Sequence, residues 1–311
     1  SSNNVKSTCY MINNKKKTNN RNPEYRYFQV TEKGTLLPFL FEQLKDKSKT
    51  TVKSFLSHRQ IAVNDIITTQ YDTPLNPGDT VSLNQGQAKT EFKHSMLKIV
   101  YEDDYLLVVD KKNGLLSMAS DKERIKTAYY ILSQYLKSQN PANRIFIVHR
   151  LDRETSGLML FAKSMDIQHT LQQNWKELVS ERKYVAVVKG SPEKDEGTIS
   201  SYLAENSAYT VYSTQNPEKG EHAVTHYKVL QKGAGNTLLE LELETGKKNQ
   251  IRVHMKDIGC PIIGDKKYGG PVSPINRIAL HAKKIRFIHP VTHKEFNFDT
   301  NVPKPFLSLL K

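Results

Sequence analysis

Residues 145–162 read IFIVHRLDRETSGLMLFA, a run of charge between two apolar segments. Residues 145–148 lead into the charged run and residues 158–162 follow it, and apolar runs of this length are typical of buried strands. The sequence therefore predicts a loop at the edge of a core, with Arg150 and Asp152 among its surface side chains. Rigid scaffolds often present catalytic groups on such loops, although a solvated turn between two strands gives the same pattern.

The composition indicates a basic protein with room for two domains. The chain has 311 residues, and its 46 lysines and arginines exceed its 32 aspartates and glutamates, for a formal net charge of +14. Such an excess favours a polyanionic partner, because each cation placed on a phosphate releases counterions. Nucleic acid is the leading candidate, and an anionic membrane surface is the alternative.

The sequence also bears on the compartment. It contains no apolar run of the roughly 18 residues that a membrane-spanning helix needs. Its first residues are polar and basic, unlike a signal peptide. Cys9 and Cys260 are far apart and form no CxxC pair, which argues against a disulfide framework or a thiolate zinc site. These features predict a cytoplasmic protein without a metal.

Two regions precede the central stretch. Residues 1–32 begin rich in Asn, Lys and Ser with almost no apolar periodicity, which predicts a disordered basic arm. Residues 33–84 show two helical patterns and then short strand patterns, which predict a compact α+β module. Lys53, His58 and Arg59 are expected on its second helix, where they suit RNA contact or an ordinary solvated face.

The larger part of the chain follows a predicted linker over residues 85–94. Residues 95–311 show many strand patterns, few helical ones and hairpin-sized connections, which predict an α+β domain on a largely antiparallel sheet. One helical stripe includes Trp175, with Ser164 as its N-cap. We expect Trp175 to be a core residue rather than a platform for a base.

Six segments of this region, in order, resemble those of the RluA family of pseudouridine synthases, and an ordered set is more specific than one motif. The segments are DDYLLVVDKKNGLL (103–116), HRLDRETSGLMLFAKS (149–164), ERKYVAVVKG (181–190), ETGKKNQIRVHM (244–255), GDKKYG (264–269) and RIALHAKKIRFIHP (277–290). The module ahead of them resembles the S4 RNA-binding domain in TTVKSFLSHRQIAVND (50–65) and LNPGDTVSL (75–83). The resemblance implies an α+β catalytic domain with a large mixed, mostly antiparallel sheet and a central RNA cleft.

The reaction that the resemblance implies is the isomerisation of uridine to pseudouridine in RNA. The N1–C1′ bond breaks, the uracil turns and C5 bonds to C1′, so no atom is gained or lost and no cofactor is needed. Asp152 matches the family's catalytic aspartate, which would stabilise or capture C1′ or act as a base. Arg252 matches the arginine that pairs with this aspartate, and its planar fork suits a bidentate contact.

Further roles come from the same resemblance. Tyr184 matches the active-site tyrosine, which would stack on the uracil and could take a proton. Arg150 would fill the gap left by the flipped target nucleotide, because a glycosidic bond inside a base stack is inaccessible. His149 is expected to be structural, and Gly157 is expected to adopt a backbone geometry that other residues avoid.

Two positions depart from the family pattern. Lys111 is followed by Lys112 where the family commonly has a Lys-Pro pair, which we expect to alter only the turn. Lys247, Lys248 and Asn249 stand where the family commonly has Arg-x-His. We expect Lys247 and Lys248 to contact RNA there.

The leading hypothesis is an enzyme, expected to be a monomer, that forms pseudouridine in large-subunit ribosomal RNA. Transfer RNA is an alternative substrate. The alternative functions are a catalytically inert RNA-binding or ribosome-assembly protein and an N-glycosylase that releases the base. A membrane-surface role is the weakest, because no strongly amphipathic basic helix is visible.

Overall fold

The computed structural model describes residues 24–86 and 92–311. Residues 24–86 form an N-terminal unit in which two helices pack against a small sheet. Its elements are β1 (Tyr25–Gln29), β2 (Gly34–Thr35), α1 (Leu36–Gln43), α2 (Lys49–Ser57), β3 (Ile61–Val63), β4 (Ile66–Ile67), β5 (Pro74–Leu75) and β6 (Thr80–Asn84). Four strands form one sheet in the order β1-β6-β3-β4, and β2 pairs with β5.

Strand β1 corrects the predicted extent of the disordered arm. The sequence predicts disorder through residue 32, but residues 25–29 pair antiparallel with β6, from Tyr25 opposite Asn84 to Gln29 opposite Thr80. These residues lie half-buried or exposed at the edge of the sheet, so they carry no clear core pattern. Residues 1–23 of the predicted arm and residues 87–91 of the predicted linker lie outside the described residues.

The two predicted helices of this unit form, with one change at the end of the second. Of the three basic residues expected on that helix, only Lys53 lies within α2, because His58 is its C-cap and Arg59 follows with a left-handed φ of 61°. Asn64 and Asp65, with φ of 49° and 65°, make the predicted turn between β3 and β4.

Residues 92–311 form a larger unit on an 11-stranded sheet. Its elements are β7 (Leu97–Glu102), β8 (Leu106–Lys111), α3 (Ala128–Gln139), β9 (Phe146–Ile147), β10 (Ser156–Ala162), α4 (Met165–Gln173), α5 (Trp175–Leu178), β11 (Val179–Lys189), β12 (Glu196–Glu205), β13 (Val211–Thr214), β14 (Glu221–Gly233), β15 (Asn236–Leu243), α6 (Gln250–Asp257), β16 (Leu280–Ile288), β17 (Glu295–Asp299) and α7 (Lys304–Ser308). The main strand order is β13-β12-β14-β15-β11-β16-β10-β8-β7. Strands β10 and β16 run parallel while β10 and β8 run antiparallel, so the predicted α+β fold with a mixed, mostly antiparallel sheet is confirmed.

The middle of this sheet is covered on both faces. Met159 and Phe161 of β10 belong to one hydrophobic core, whereas Leu158 and Leu160 belong to a second core on the other face. A strand covered on both faces is a continuous apolar run rather than an alternating one. This explains why residues 158–162 could be recognised as a buried strand from sequence.

The predicted helix that contains Trp175 is divided into α4 and α5 at Asn174. Ser164 is the predicted N-cap, since its hydroxyl accepts a hydrogen bond from the backbone N–H of Ile167 at 3.2 Å. Trp175 packs against the second core, as predicted, but it is only half-buried and also lines a cavity. No helix in the described part of the chain has the length and apolarity needed to cross a membrane.

Candidate active site

The loop between β9 and β10 forms one wall of a cavity of about 580 Å³. The start of β11 and the segment that leads into α6 form other walls. The predicted site residues that line this cavity are Arg150, Asp152, Tyr184, Lys247, Lys248 and Arg252. Lys53, His58 and Arg59 belong to the N-terminal unit and do not line it.

The segment that follows β8 fixes the loop through hydrogen bonds to the loop backbone. The hydroxyl of Ser117 donates to the carbonyl oxygen of Leu151 at 2.6 Å and accepts from the N–H of the same residue at 3.1 Å. The N–H of Gly114 donates to the carbonyl oxygen of Arg153 at 2.8 Å. Asp152 thus lies between two residues whose backbones are fixed.

Lys111 reinforces this arrangement from a fully buried position. Its Nζ donates to the carbonyl oxygens of Leu115 at 2.7 Å, Lys112 at 3.1 Å and Arg153 at 3.1 Å. Burial lowers the pKa of Lys111 to about 7, against the opposing attraction of Glu154. From the sequence, Lys111 was considered only as part of a turn.

Gly157, the second residue of β10, adopts a backbone geometry that other residues avoid, as predicted. Its φ is +121°, and an added Cβ would lie 2.1 Å from the carbonyl oxygen of Ala282. The close approach accompanies the parallel pairing of β10 and β16, in which Gly157 lies opposite Ala282. The loop therefore ends at a point where only glycine fits.

Arg252 contacts Asp152, as predicted, but through one edge of its fork rather than two. Its Nη1 donates to Asp152 at 3.1 Å, a single contact. The bidentate contact goes instead to Asp265, through Nε at 3.0 Å and Nη2 at 2.9 Å. Asp265 is completely buried, whereas the side chain of Asp152 is 39% exposed. Asp265 lies in the GDKKYG segment, but nothing in that segment indicated its partner.

The surroundings of Arg252 keep it charged. Burial lowers the pKa of Arg252, but the hydrogen bonds and negative charge of Asp265, and then the charge of Asp152, raise it by more, so the pKa lies above its ordinary value. The ring of Tyr268 lies 5.0 Å from the guanidinium carbon. Arg252 therefore gives Asp152 a fixed cationic neighbour at the cavity wall.

Tyr184 is buried, and its phenol oxygen accepts a hydrogen bond from Nη2 of Arg182 at 2.8 Å. The guanidinium of Arg182 also lies over the ring of Trp175, at 5.5 Å from its centroid. Arg182 and Trp175 both line the cavity, and neither was predicted from the sequence to belong to the site. The only available signal for Arg182 was its place two residues before Tyr184 in ERKYVAVVKG.

His149 has the predicted structural role. Its Nε2 accepts a hydrogen bond from the N–H of Leu160 at 2.9 Å, which ties the loop to β10. Burial, and then the positive charge of Arg182, lower its pKa well below the ordinary value. The imidazole is therefore neutral, as this hydrogen bond requires.

The cations at the rim differ in how they are paired. Lys247 lies 3.4 Å from Glu221 and Lys248 lies 3.0 Å from Glu205. Arg150 is exposed and forms no ion pair with a carboxylate of the described residues. Arg150 is therefore the rim cation with the most freedom to meet a ligand. Within residues 24–86 and 92–311, no cluster of three or more His, Cys, Asp or Glu side chains is placed to hold a metal ion.

Comparison with known proteins gives a consistent result. The family model described as RNA pseudouridylate synthase matches residues 105–257. The chain is 33% identical over 267 residues to a Bacillus subtilis protein named uncharacterized RNA pseudouridine synthase YhcT, covering 82% of this chain and 86% of that protein. It is 32% identical over 285 residues to the ribosomal large subunit pseudouridine synthase D of Vibrio cholerae, covering 86% of this chain and 87% of the relative.

Solved structures show the same likeness. The human RNA pseudouridylate synthase domain containing 4 superposes with a TM-score of 0.56 at 26% identity, covering 68% of this chain and 91% of that chain. The human RNA pseudouridylate synthase domain containing 1 superposes with a TM-score of 0.53 at 28% identity, covering 71% and 89%.

Proposed function

Because the chain belongs to the RNA pseudouridine synthase family, we propose that it converts uridines of large-subunit ribosomal RNA to pseudouridine, with Asp152 as its catalytic carboxylate. The observation that carries this proposal is the placement of Asp152. Its carboxylate lies on the wall of a cavity of about 580 Å³, 3.1 Å from an arginine that a buried carboxylate anchors.

The environment of Asp152 suits a reaction at an electron-poor sugar carbon. When the N1–C1′ bond breaks, positive charge develops at C1′, and a carboxylate can stabilise or capture that carbon. A carboxylate within reach can also accept a proton. Nη1 of Arg252 places a positive charge and a hydrogen bond 3.1 Å from the carboxylate of Asp152. In either role the atoms balance, since C5 replaces N1 at C1′ and the proton lost from C5 is matched by one gained at N1.

In this proposal Tyr184 contacts the uracil base, while Asp152 acts at the sugar carbon. Its ring lines the cavity, where an aromatic face can stack on uracil. The hydrogen bond from Arg182 fixes the phenol oxygen, so the ring presents a constant face to the base. Pairing a stacked uracil with a carboxylate at C1′ requires the nucleotide to enter the cavity.

Entry of the nucleotide requires base flipping, which costs a few kcal/mol in a stacked RNA. Arg150 is exposed next to the cavity and free of carboxylate partners among the described residues. We assign it the position vacated by the flipped base, where a guanidinium can stack on neighbouring bases. Lys247 and Lys248 at the rim then lie near the RNA backbone. The RNA phosphates compete with Glu221 and Glu205 for these two lysines.

Ribosomal RNA is favoured as the substrate by the named relatives and by the N-terminal unit. Relatives named ribosomal large subunit pseudouridine synthase D match 86% or more of this chain, which includes most of that unit. The net charge of +14 suits a large polyanion. We assign RNA binding by an S4-like surface to Lys53, His58 and Arg59. Transfer RNA is the alternative substrate.

The test is to incubate the protein with unmodified transcripts of large-subunit ribosomal RNA and of transfer RNA, and to map pseudouridine in each. We expect pseudouridine at defined positions of the ribosomal transcript with no added cofactor. Modification of transfer RNA alone would reject the substrate assignment. Free uracil and abasic sites would instead indicate an N-glycosylase, and unmodified RNA that stays tightly bound would indicate an inert binding protein.

A further inference from the structure

A second groove of about 660 Å³ adjoins the cavity. Trp175, Arg182 and Leu243 line both spaces, so the two meet at these three residues. Apart from Val179 and Val224, the rest of its lining consists of polar and charged side chains of α5, β11, β14, β15 and the segment after β15. These include Lys176, Ser180, His222, His226, Glu242 and Glu244. Neither the proposed reaction nor the sequence motifs account for this groove.

Arg182 carries an uncompensated charge at the junction. It is half-buried and forms no ion pair with a carboxylate of the described residues. Nη2 donates to Tyr184 and lies 3.5 Å from Nδ1 of His149, and both partners are neutral groups. A guanidinium has five N–H donors, so several remain for a ligand. Placing an unpaired charge in a protein wall is costly, which points to an anionic ligand.

The surroundings keep the guanidinium in place and leave room beside it. Its carbon lies 5.5 Å from the ring centroid of Trp175. On another side, a Cβ added at Gly246 would lie 2.8 Å from Nη1. The absence of a side chain at Gly246 therefore leaves Nη1 accessible from the cavity.

The acidic residues of the groove do not neutralise Arg182. Glu244 accepts a hydrogen bond from Nε2 of His226 at 2.9 Å, and Glu242 lies opposite Lys183 in the sheet, on a neighbouring strand. Lys176 is exposed on α5 and, like Arg182, forms no ion pair within the described residues. Arg182 and Lys176 are thus the groove's available cations, beside an indole and two imidazoles.

We propose that this groove is a subsite for the nucleotide next to the target uridine, with Arg182 binding the phosphodiester that joins the two. The base of that neighbour packs against Trp175 at the mouth of the groove. Pairing a cation for the backbone with aromatic surface for a base is how proteins bind single-stranded nucleic acid. The subsite rests on the proposed function, because it takes the cavity as the position of the target uridine.

Trp175 provides the probe, because it is the single tryptophan of the chain. Its fluorescence is measured while the full chain is titrated with a short oligouridylate at several salt concentrations. We expect saturable quenching, and binding roughly tenfold weaker in Arg182→Gln, the size of one lost hydrogen bond to a charged group. The slope of log affinity against log salt should fall by about 0.7, the value for one phosphate contact on a single strand.

Matched variants separate this role from a purely structural one. Arg182→Lys keeps the charge and should keep the salt slope. Lys194→Gln removes an exposed charge in the connection between β11 and β12, away from both spaces, and should change neither quantity. An unchanged slope in Arg182→Gln overturns the subsite. If circular dichroism shows that this variant is unfolded, Gly246→Ala decides, because it displaces Nη1 without removing the charge. Unchanged affinity in Gly246→Ala then overturns the subsite.

Pseudouridine formation by the wild type is measured in parallel on ribosomal RNA. Turnover together with an unchanged slope in Arg182→Gln rejects the subsite alone. Absence of turnover rejects the proposed function and the subsite with it.

Discussion

Arg252 contacts two carboxylates whose surroundings differ. Asp265 is fully buried and makes two hydrogen bonds to the guanidinium, whereas Asp152 makes one and remains partly exposed. This asymmetry gives the two carboxylates different tasks. Asp265 fixes the arginine, whereas Asp152 lines the cavity and has one carboxylate oxygen that Arg252 does not bind.

Asp265→Asn should therefore impair both stability and turnover. Breaking a buried ion pair from one side costs about 3–5 kcal/mol, because the remaining charge stays buried. We expect a loss of this size in urea unfolding, and a fall in kcat larger than the change in KM as Arg252 moves away from Asp152. The matched control, Asp195→Asn, changes an exposed carboxylate and should lie within about 0.5 kcal/mol of wild type. Wild-type stability and kcat in Asp265→Asn would contradict the anchoring role.

The residues of the site differ in how far sequence could reveal them. Asp152, Tyr184 and Arg252 were singled out by matching ordered segments, and the structure brings them into one cavity. Asp265 and Arg182 were missed because their roles depend on contacts between distant segments. A fork such as that of Arg252 has two edges, and spacing along the chain does not show which carboxylate takes which edge.

At the level of elements, β10 fixes one end of the loop between β9 and β10 through Gly157, which lies opposite Ala282 of β16. Gly157→Ala should destabilise the protein by more than about 3 kcal/mol, since the left-handed backbone alone costs 1–3 kcal/mol and the new Cβ would also meet the carbonyl oxygen of Ala282. Gly190→Ala is the matched control, because Gly190 has a φ of +74° but open space around it. If thermal unfolding showed equal losses of stability for the two variants, the contact of the new Cβ with β16 would add nothing to the backbone cost.

Lys111 links β8 to the same loop and predicts a pH dependence of stability. The unfolded chain holds the Lys111 proton up to pH 10.5, whereas the native protein releases it near pH 7, so the unfolded state binds more protons in between. Native stability relative to Lys111→Met should therefore rise with pH across this window, by up to about 1.4 kcal/mol per pH unit. Urea unfolding of both proteins at several pH values measures this. A constant difference from pH 7 to 10.5 would mean that Lys111 keeps its proton when folded.

The elements themselves were largely predictable, and the exceptions have physical causes. Residues 158–162 were recognisable because a strand buried on both faces is continuously apolar. Strand β1 was missed because it lies at a sheet edge with little buried surface. Trp175 was expected in the core because its spacing fits a single helical stripe. The helix divides at Asn174, and the indole both packs against the second core and lines the cavity.

At the scale of the whole molecule, the N-terminal unit presents cations for RNA in this account. Lys53→Gln combined with Arg59→Gln should weaken RNA binding and lower the salt slope by about 1.4, from two phosphate contacts at about 0.7 each on a single strand. The control combines Lys194→Gln with Lys304→Gln, two exposed lysines that lie between β11 and β12 and at the start of α7 and do not line the cavity. Equal slopes for the two double variants in filter binding would count against RNA contact by the N-terminal unit.

The sequence predicted the sheet architecture of the larger unit, but it misplaced the boundary between the basic arm and the N-terminal unit. The sheet was predictable because its strands carry clear apolar patterns with short connections. The boundary of the basic arm was not, because polar residues that pair through their backbone look the same as unpaired ones. Net charge indicated a polyanionic partner without indicating which surface would bind it.

Single-turnover pseudouridine formation by Asp152→Asn tests the central claim most directly, with the RNA dissociation constant measured on the same samples. The substitution keeps the shape of the side chain and removes its negative charge. Because Asp152 is partly exposed and contributes one contact to Arg252, we expect a folded protein that binds RNA within a few-fold of wild type and forms no pseudouridine. Pseudouridine formation at the wild-type rate, or a loss of RNA affinity by orders of magnitude, would contradict the assignment of Asp152 as the catalytic carboxylate.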